Sequence, residues 1–294
     1  MKYFKIGFSV FFILLISFFV VKSCVHPKRT ITNQETASTV PFFSKLMPPQ
    51  KHIVIAPRVI SGDKEKNLVS STQGPHVAII LDDWGKNYSV LKNAIEIHRP
   101  LTLAVLPNLI HSRRIAEEAH QNGLGVMLHL PMEPFNKKAP LEPRTIKTSM
   151  TDSQIKQIVD NAVAAIPHVQ GVNNHMGSAV TSDARVMKLI LERLKSKNLF
   201  FVDSHVVAKT QGSWAALQTG IRFAERDVFI DNENELGAIK RQLEKAKQMA
   251  LASGEAIVIG HDRKLTLEAI KEMLPEFDRA GVRLVLARDV VKSS

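Results

Sequence analysis

The sequence predicts an α/β protein built on a mostly parallel sheet or a barrel of seven or eight strands, and three observations carry that expectation. From Pro75 onward, short apolar runs alternate with stretches of helical period, the pattern of repeated βα units. Gly123 and Gly254 stand where helices must stop ahead of strands, because a left-handed glycine ends a helix without a Cβ penalty. Ionisable residues fall at the C-terminal ends of the apolar runs, and in a parallel barrel those ends open on one face.

Taken in order, the predicted strands are 77–81, 101–106, 125–130, 171–174, 199–203, 228–231, 256–260 and 283–286. Between the third and fourth, Ile155, Ile158, Ala162, Val163 and Ile166 recur at helical spacing behind a capping box of Thr151 and Gln154. Before the seventh, Leu236, Ile239, Leu243, Ala246 and Ala250 form a second stripe at spacings of three and four. Both stripes read as core faces. The chain shows no repeat of solenoid length, no Walker motif and no G-x-G-x-x-G.

Upstream of the predicted domain the composition changes. Residues 2–5 carry two lysines, and the apolar run at 6–21 follows them, so residues 1–24 read as a signal peptide or a membrane anchor. Sixteen residues lie between the length of a signal core and that of a spanning helix, and both outcomes stay open. The sequence VKSC ending at Cys24 places a lysine where a lipoprotein signal needs a small residue. Residues 25–74, rich in Thr, Ser, Pro, Gln and Lys, read as a flexible tether, which leaves 75–294 as the folded domain. The expected location is outside the cytoplasm, in the periplasm or beyond, with the N-terminal segment as the contact with the membrane.

The net charge of +11 suggests nucleic acid only until it is divided. Residues 1–74 hold ten Lys/Arg against three Asp/Glu, and the rest holds 29 against 25. The basic excess belongs to the tail, so no nucleic-acid partner is expected. Cys24 is the single cysteine, which excludes an intramolecular disulfide and any cysteine-based metal site.

Six of the predicted strands and their flanks supply the chemistry. Asp82 and Asp83 follow the first strand, His129 ends the third, and His175 follows the fourth. Asp203 and His205 lie at the end of the fifth, Asp231 at the end of the sixth, and His261 with Asp262 after the seventh. Adjacent aspartates leaving one strand point in different directions, so one can bind a cation while the other acts as a base. A capping role for Asp83 or a tight turn at Gly85 is equally consistent with that pair alone. His129 and Glu133 stand four residues apart, a spacing suited to two ligands on a strand end and the next turn. A single strand-end histidine is more often structural, and it is the recurrence that argues for a site. Met127, Trp84 and Trp214 read as packing residues.

The blocks VAIILDDWG, GVMLHLPMEP, GVNNHMGSAVTSD, FFVDSH and IVIGHD together resemble those of the divergent polysaccharide deacetylases, within the wider NodB-homology superfamily. The resemblance runs over about 75–291. It implies a distorted (β/α) barrel that binds a divalent metal, commonly zinc, and removes acetyl groups from amino sugars. By position, Asp82 matches the general base, Asp83 the metal-binding aspartate, His129 the first metal histidine, and His261 the late histidine that protonates the leaving amine. Two blocks depart from the superfamily. Glu133 stands where the second metal histidine is expected, and Asn173, Asn174 and His175 replace a block with arginine and proline, so that His175 or His205 could supply the missing ligand. The implied partner is an envelope polysaccharide or peptidoglycan-type glycan. The competing reading is a catalytically lapsed glycan-binding or envelope-assembly protein that keeps the barrel and metal, and a third is a hydrolase of another ester or amide. A cleft blocked by the loop at 131–150 would favour the binding protein.

Overall fold

A computed structural model describes residues 74–293; the expected export segment, Cys24 and the tether up to residue 73 lie outside the described residues. The elements run β1 (His76–Trp84), α1 (Leu91–Ile95), β2 (Thr102–Val105), α2 (Ser112–Gln121), β3 (Gly125–Met132) and α3 (Asp152–Ala165). They continue with β4 (Gly171–Met176), α4 (Ser178–Thr181), α5 (Ala184–Lys195), β5 (Phe200–Asp203), α6 (Gly212–Thr219) and β6 (Arg222–Glu225). The last are β7 (Val228–Phe229), α7 (Leu236–Ser253), β8 (Glu255–His261), α8 (Lys264–Arg279), β9 (Arg283–Val285) and β10 (Lys292–Ser293).

Eight strands, in the order β6-β5-β4-β3-β2-β1-β8-β7, pair in parallel. β9 adds to the lower part of β1, and β10 pairs antiparallel with β6. The path ends at β7 on one side and β10 on the other, and that seam is the distortion of the barrel. All eight predicted strands are found. The structure adds β6 and β10, whose sequences are too polar to read as apolar runs.

Side chains alternate across each strand, and the two faces enter two different cores. Along β1, Val77, Ile79 and Leu81 join the large core between sheet and helices, while Ala78 and Ile80 join a smaller cluster with Ala104, Met127, Phe200, Val202, Ile257 and Ile259. The second set is the barrel interior. Gly171 is required there, because a Cβ at that position would stand 2.2 Å from the Phe200 ring.

The helices form as the sequence predicts. Thr151 and Gln154 make the capping box of α3, and Glu235 caps α7 by accepting from the Gly237 and Ala238 amides. Gly254 ends α7 in the left-handed region at φ 91°. Among the described residues no helix is long and apolar enough to cross a membrane.

Candidate active site

The period-two alternation that fills the barrel interior also aims the functional groups. Asp82 continues the series Ala78, Ile80; His129 follows Met127; His261 follows Ile257 and Ile259. In each case the residue two positions earlier points inward, so the next one does too, now at the open C-terminal end. Asn173 and His175 share one face of β4 with Gly171. Asp83 breaks the rule. Its parity would turn it outward, but the β1–β2 register shifts between Leu81 and Trp84, and Asp83 adopts φ 67°. This bulge turns a second aspartate into the same mouth.

The result is a cavity of about 260 Å³ lined by Asp82, Asp83, His129, His175, Phe229 and His261 among others. No residue of the 133–150 loop lines it. Within it, Asp83, His129 and His175 each offer one atom, all within 4.8 Å of one another. His129 Nε2 lies 3.3 Å from Asp83 Oδ1 and 3.1 Å from His175 Nδ1, and that Nδ1 is 3.1 Å from Asp83 Oδ1. One carboxylate oxygen and two imidazole nitrogens suit a borderline divalent cation such as zinc.

The electrostatics point the same way. Burial raises the Asp83 carboxyl, but the two imidazoles outweigh it and hold the group well below the usual carboxylate range. Burial lowers His129, yet Asp82 and Asp83 outweigh that in turn and push it up to about 9. The mouth therefore stabilises positive charge between its carboxylates. Burial raises Asp82 above its ordinary value against the opposing pull of His129, Asn173 and His261. Asp262 is pushed up to about 7 by burial and by the Asp83 charge.

On the far side of the mouth, His261 Nδ1 lies 2.7 Å from Asp231 Oδ1, and Asp231 Oδ2 accepts from the His261 amide at 2.8 Å and Thr266 Oγ1 at 2.7 Å. Burial lowers His261, but the bond and charge of Asp231 outweigh it, and the imidazole titrates above its ordinary value. Phe229 lies parallel to the His261 ring at 5.9 Å between centroids, and the Arg226 guanidinium sits 4.2 Å from the Phe229 ring centre.

Three expected candidates stand elsewhere. Glu133 is carried aside because the chain returns at Ile146 to pair with the end of β3, so its carboxylate accepts from the Thr148 amide and hydroxyl and from Lys137. Asp203 has the opposite parity to Phe200 and Val202; it faces the start of α6 and bonds Thr210 Oγ1 and the His205 amide. His205, at φ 49°, turns toward Glu225, 3.7 Å away, over a separate depression. Of the packing residues, Met127 and Trp84 are buried, whereas Trp214 is 41% exposed on α6. Asp231 stood among the strand-end acids without an assigned role, and Asn173 carried no sequence signal beyond its place in a divergent block.

The sequence matches the divergent polysaccharide deacetylase family over residues 79–291. The uncharacterized protein YibQ of Escherichia coli K12 is 35% identical over 207 residues, 70% of this chain but 65% of its own length, so the match spans slightly under two thirds of that relative. An uncharacterized protein of Haemophilus influenzae Rd is 31% identical over 195 residues, 66% of this chain and 69% of that protein. The crystal structure of an uncharacterized protein from Agrobacterium tumefaciens C58 has the same fold, with a TM-score of 0.71 at 21% identity over 76% of this chain and 91% of that one.

Proposed function

The chain belongs to the divergent polysaccharide deacetylase family, and on that premise we propose that it is a metal-dependent hydrolase removing acetyl groups from N-acetylated amino sugars of an envelope glycan. The observation that carries this reading is one cavity lined by three residues with the donors and spacing to hold a cation, a buried aspartate and a histidine tied to a second aspartate.

Asp83, His129 and His175 would hold the cation, with zinc the ion that fits their donor set. Bound there, it supplies Lewis acidity, which makes water a nucleophile near neutral pH and polarises an amide carbonyl. Asp82 accepts the proton of the attacking water; its raised proton affinity makes it a stronger base than an exposed aspartate. His261 has Nδ1 committed to Asp231, so Nε2 is the nitrogen left to face substrate. As imidazolium it gives its proton to the amine nitrogen as the carbon–nitrogen bond breaks, and acetate and the free amine leave.

Export by residues 1–24, with either cleavage or retention as an anchor, would place this chemistry where an envelope glycan is found. The open cavity favours turnover over the lapsed, binding-only reading, because the 133–150 loop contributes nothing to its lining. The full chain, loaded with zinc and given N-acetylglucosamine polymers, is expected to release acetate, and Asp82→Asn to cut the rate by about 10²-fold or more. A wild-type protein that binds zinc and the polymer but releases no acetate would overturn the enzymatic reading in favour of a binding protein.

A further inference from the structure

We propose that Asn173 is a positioning residue that sets His129 and Asp82 in their separate tasks through one buried carboxamide. The inference rests on the reading of His129 as a cation ligand and Asp82 as a base. Asn173 is fully buried on β4, with His129 opposite it in the register with β3. Its Nδ2 donates to Asp82 Oδ1 at 2.7 Å, and its Oδ1 lies 2.8 Å from His129 Nδ1.

The direction of these two bonds follows from what each group can do. An ionised carboxylate only accepts, so the amide must turn its NH2 toward Asp82. The amide oxygen then faces His129 and also only accepts, so Nδ1 must carry a hydrogen. With Nδ1 protonated, the neutral ring presents its lone pair at Nε2, the nitrogen that faces Asp83 and His175. Asp82 is divided in the same way. Oδ1 is held by the amide, and Oδ2, 3.7 Å from His129 Nε2, is the oxygen left for a proton from the cavity. A flipped amide would put two acceptors together at Asp82 and would require the other tautomer at His129. One side chain thus transmits the ionised state of the base into the ligand geometry of its neighbour.

The test begins with the metal-free full chain, labelled with 15N-histidine and followed by titration to alkaline pH until the imidazole signals report neutral rings. A long-range proton–nitrogen spectrum should show His129 with hydrogen on Nδ1, assigned by its disappearance in His129→Gln. Asn173→Leu should abolish that preference and weaken zinc binding by about 10–100-fold in calorimetric titration. Asn173→Asp keeps an acceptor toward His129 and loses the donor toward Asp82; it should retain the Nδ1–H form and zinc affinity at least at the wild-type level, while acetate release falls. An Nε2–H tautomer in the wild type, or a folded Asn173→Leu protein with wild-type tautomer and zinc affinity, would overturn the proposal. Should Asn173→Leu fail to fold, the wild-type spectrum and Asn173→Asp still decide. A wild type that shows the Nδ1–H form and binds zinc in an Asn173-dependent way, but releases no acetate, would bring down the deacetylase reading and leave the positioning of His129 at the cation site standing; one that binds no zinc would bring down both.

Discussion

Two aspartate–histidine pairings face each other across the mouth, and they are built in opposite ways. Asp231 is wholly buried, and its carboxylate accepts from the His261 ring, the His261 amide and Thr266, so its lone pairs are committed within the protein. Asp83 has a side chain 37% exposed, sits on a bulge, and meets two imidazoles with no backbone donor at hydrogen-bond distance among the described residues. The difference teaches how the same two residue types serve different ends. A saturated carboxylate fixes the tautomer and orientation of its histidine, whereas an open one beside converging imidazole lone pairs leaves room for a cation.

The largest expected effect comes from breaking the open side. His129→Ala removes one of the three proposed ligands, so zinc affinity should fall by more than about 10²-fold. At a zinc concentration of 100 times the wild-type Kd, the wild type should gain about 2.7 kcal/mol of stability, and the variant almost none, in paired thermal melts. Breaking the Asp231–His261 bond on the saturated side should lower the rate without touching zinc affinity. Asp231→Asn frees the His261 ring from its fixed tautomer, and kcat is expected to drop by about 10–100-fold while zinc affinity stays at the wild-type level. Loss of zinc affinity in Asp231→Asn would show that the two halves are one unit.

The pH dependence sharpens the same contrast. Burial holds the Asp82 carboxyl above its ordinary value, and under the proposed mechanism it must be ionised to act, so kcat/KM should rise with pH only beyond the normal aspartate range. Asp231 raises His261 above its ordinary value, and under the proposed mechanism it must be protonated to act, so the alkaline fall should lie above the ordinary histidine range. Asp231→Asn removes the charge that raises His261, and its alkaline limb should move to lower pH while the acidic limb stays in place. A rate profile in which both limbs moved together would assign them to coupled groups on one side of the mouth.

Much of this could be read from residues alone, for a physical reason. Apolar runs end where strands emerge, so Asp82, His129, His175 and His261 were recognisable as strand-end groups. Which way a side chain faces was harder to read, because a parallel strand buried on both sides shows no alternation. Asp203 and Asp231 look alike at the ends of their runs, yet parity sends one toward α6 and the other toward His261. The bulge falls on Asp83 itself, while Gly85 two residues on reads as a turn beyond the strand, and the diversion of Glu133 depends on a return strand segment at Ile146, thirteen residues later. Asn173 escaped because an asparagine near a strand end reads as a turn or a cap, and only the fold brings Asp82 and His129 to its two ends.

The smallest expected effect tests whether the saturated carboxylate is in fact structural. Thr266→Val keeps the size of a fully buried side chain and removes one hydroxyl donor from Asp231 Oδ2, which still accepts from the His261 amide. A hydrogen bond to a charged group contributes about 1.5–3 kcal/mol, so urea unfolding at neutral pH should show a loss of that order, with kcat changed by less than about tenfold. The sign of its pH dependence follows from Asp231, whose carboxyl is raised by burial but lowered further by His261 and Thr266, leaving it below 3.8 in the folded state. Stability from a depressed carboxyl is present above the unfolded value and is lost as pH falls through the folded one. The gap between wild type and Thr266→Val should therefore be full at neutral pH and shrink only below about 3.8, as the carboxyl becomes protonated in both proteins. A gap that stayed constant into strong acid would mean that Thr266 stabilises the protein through packing rather than through the charge it donates to, and the contrast between the two aspartates would lose one of its three supports.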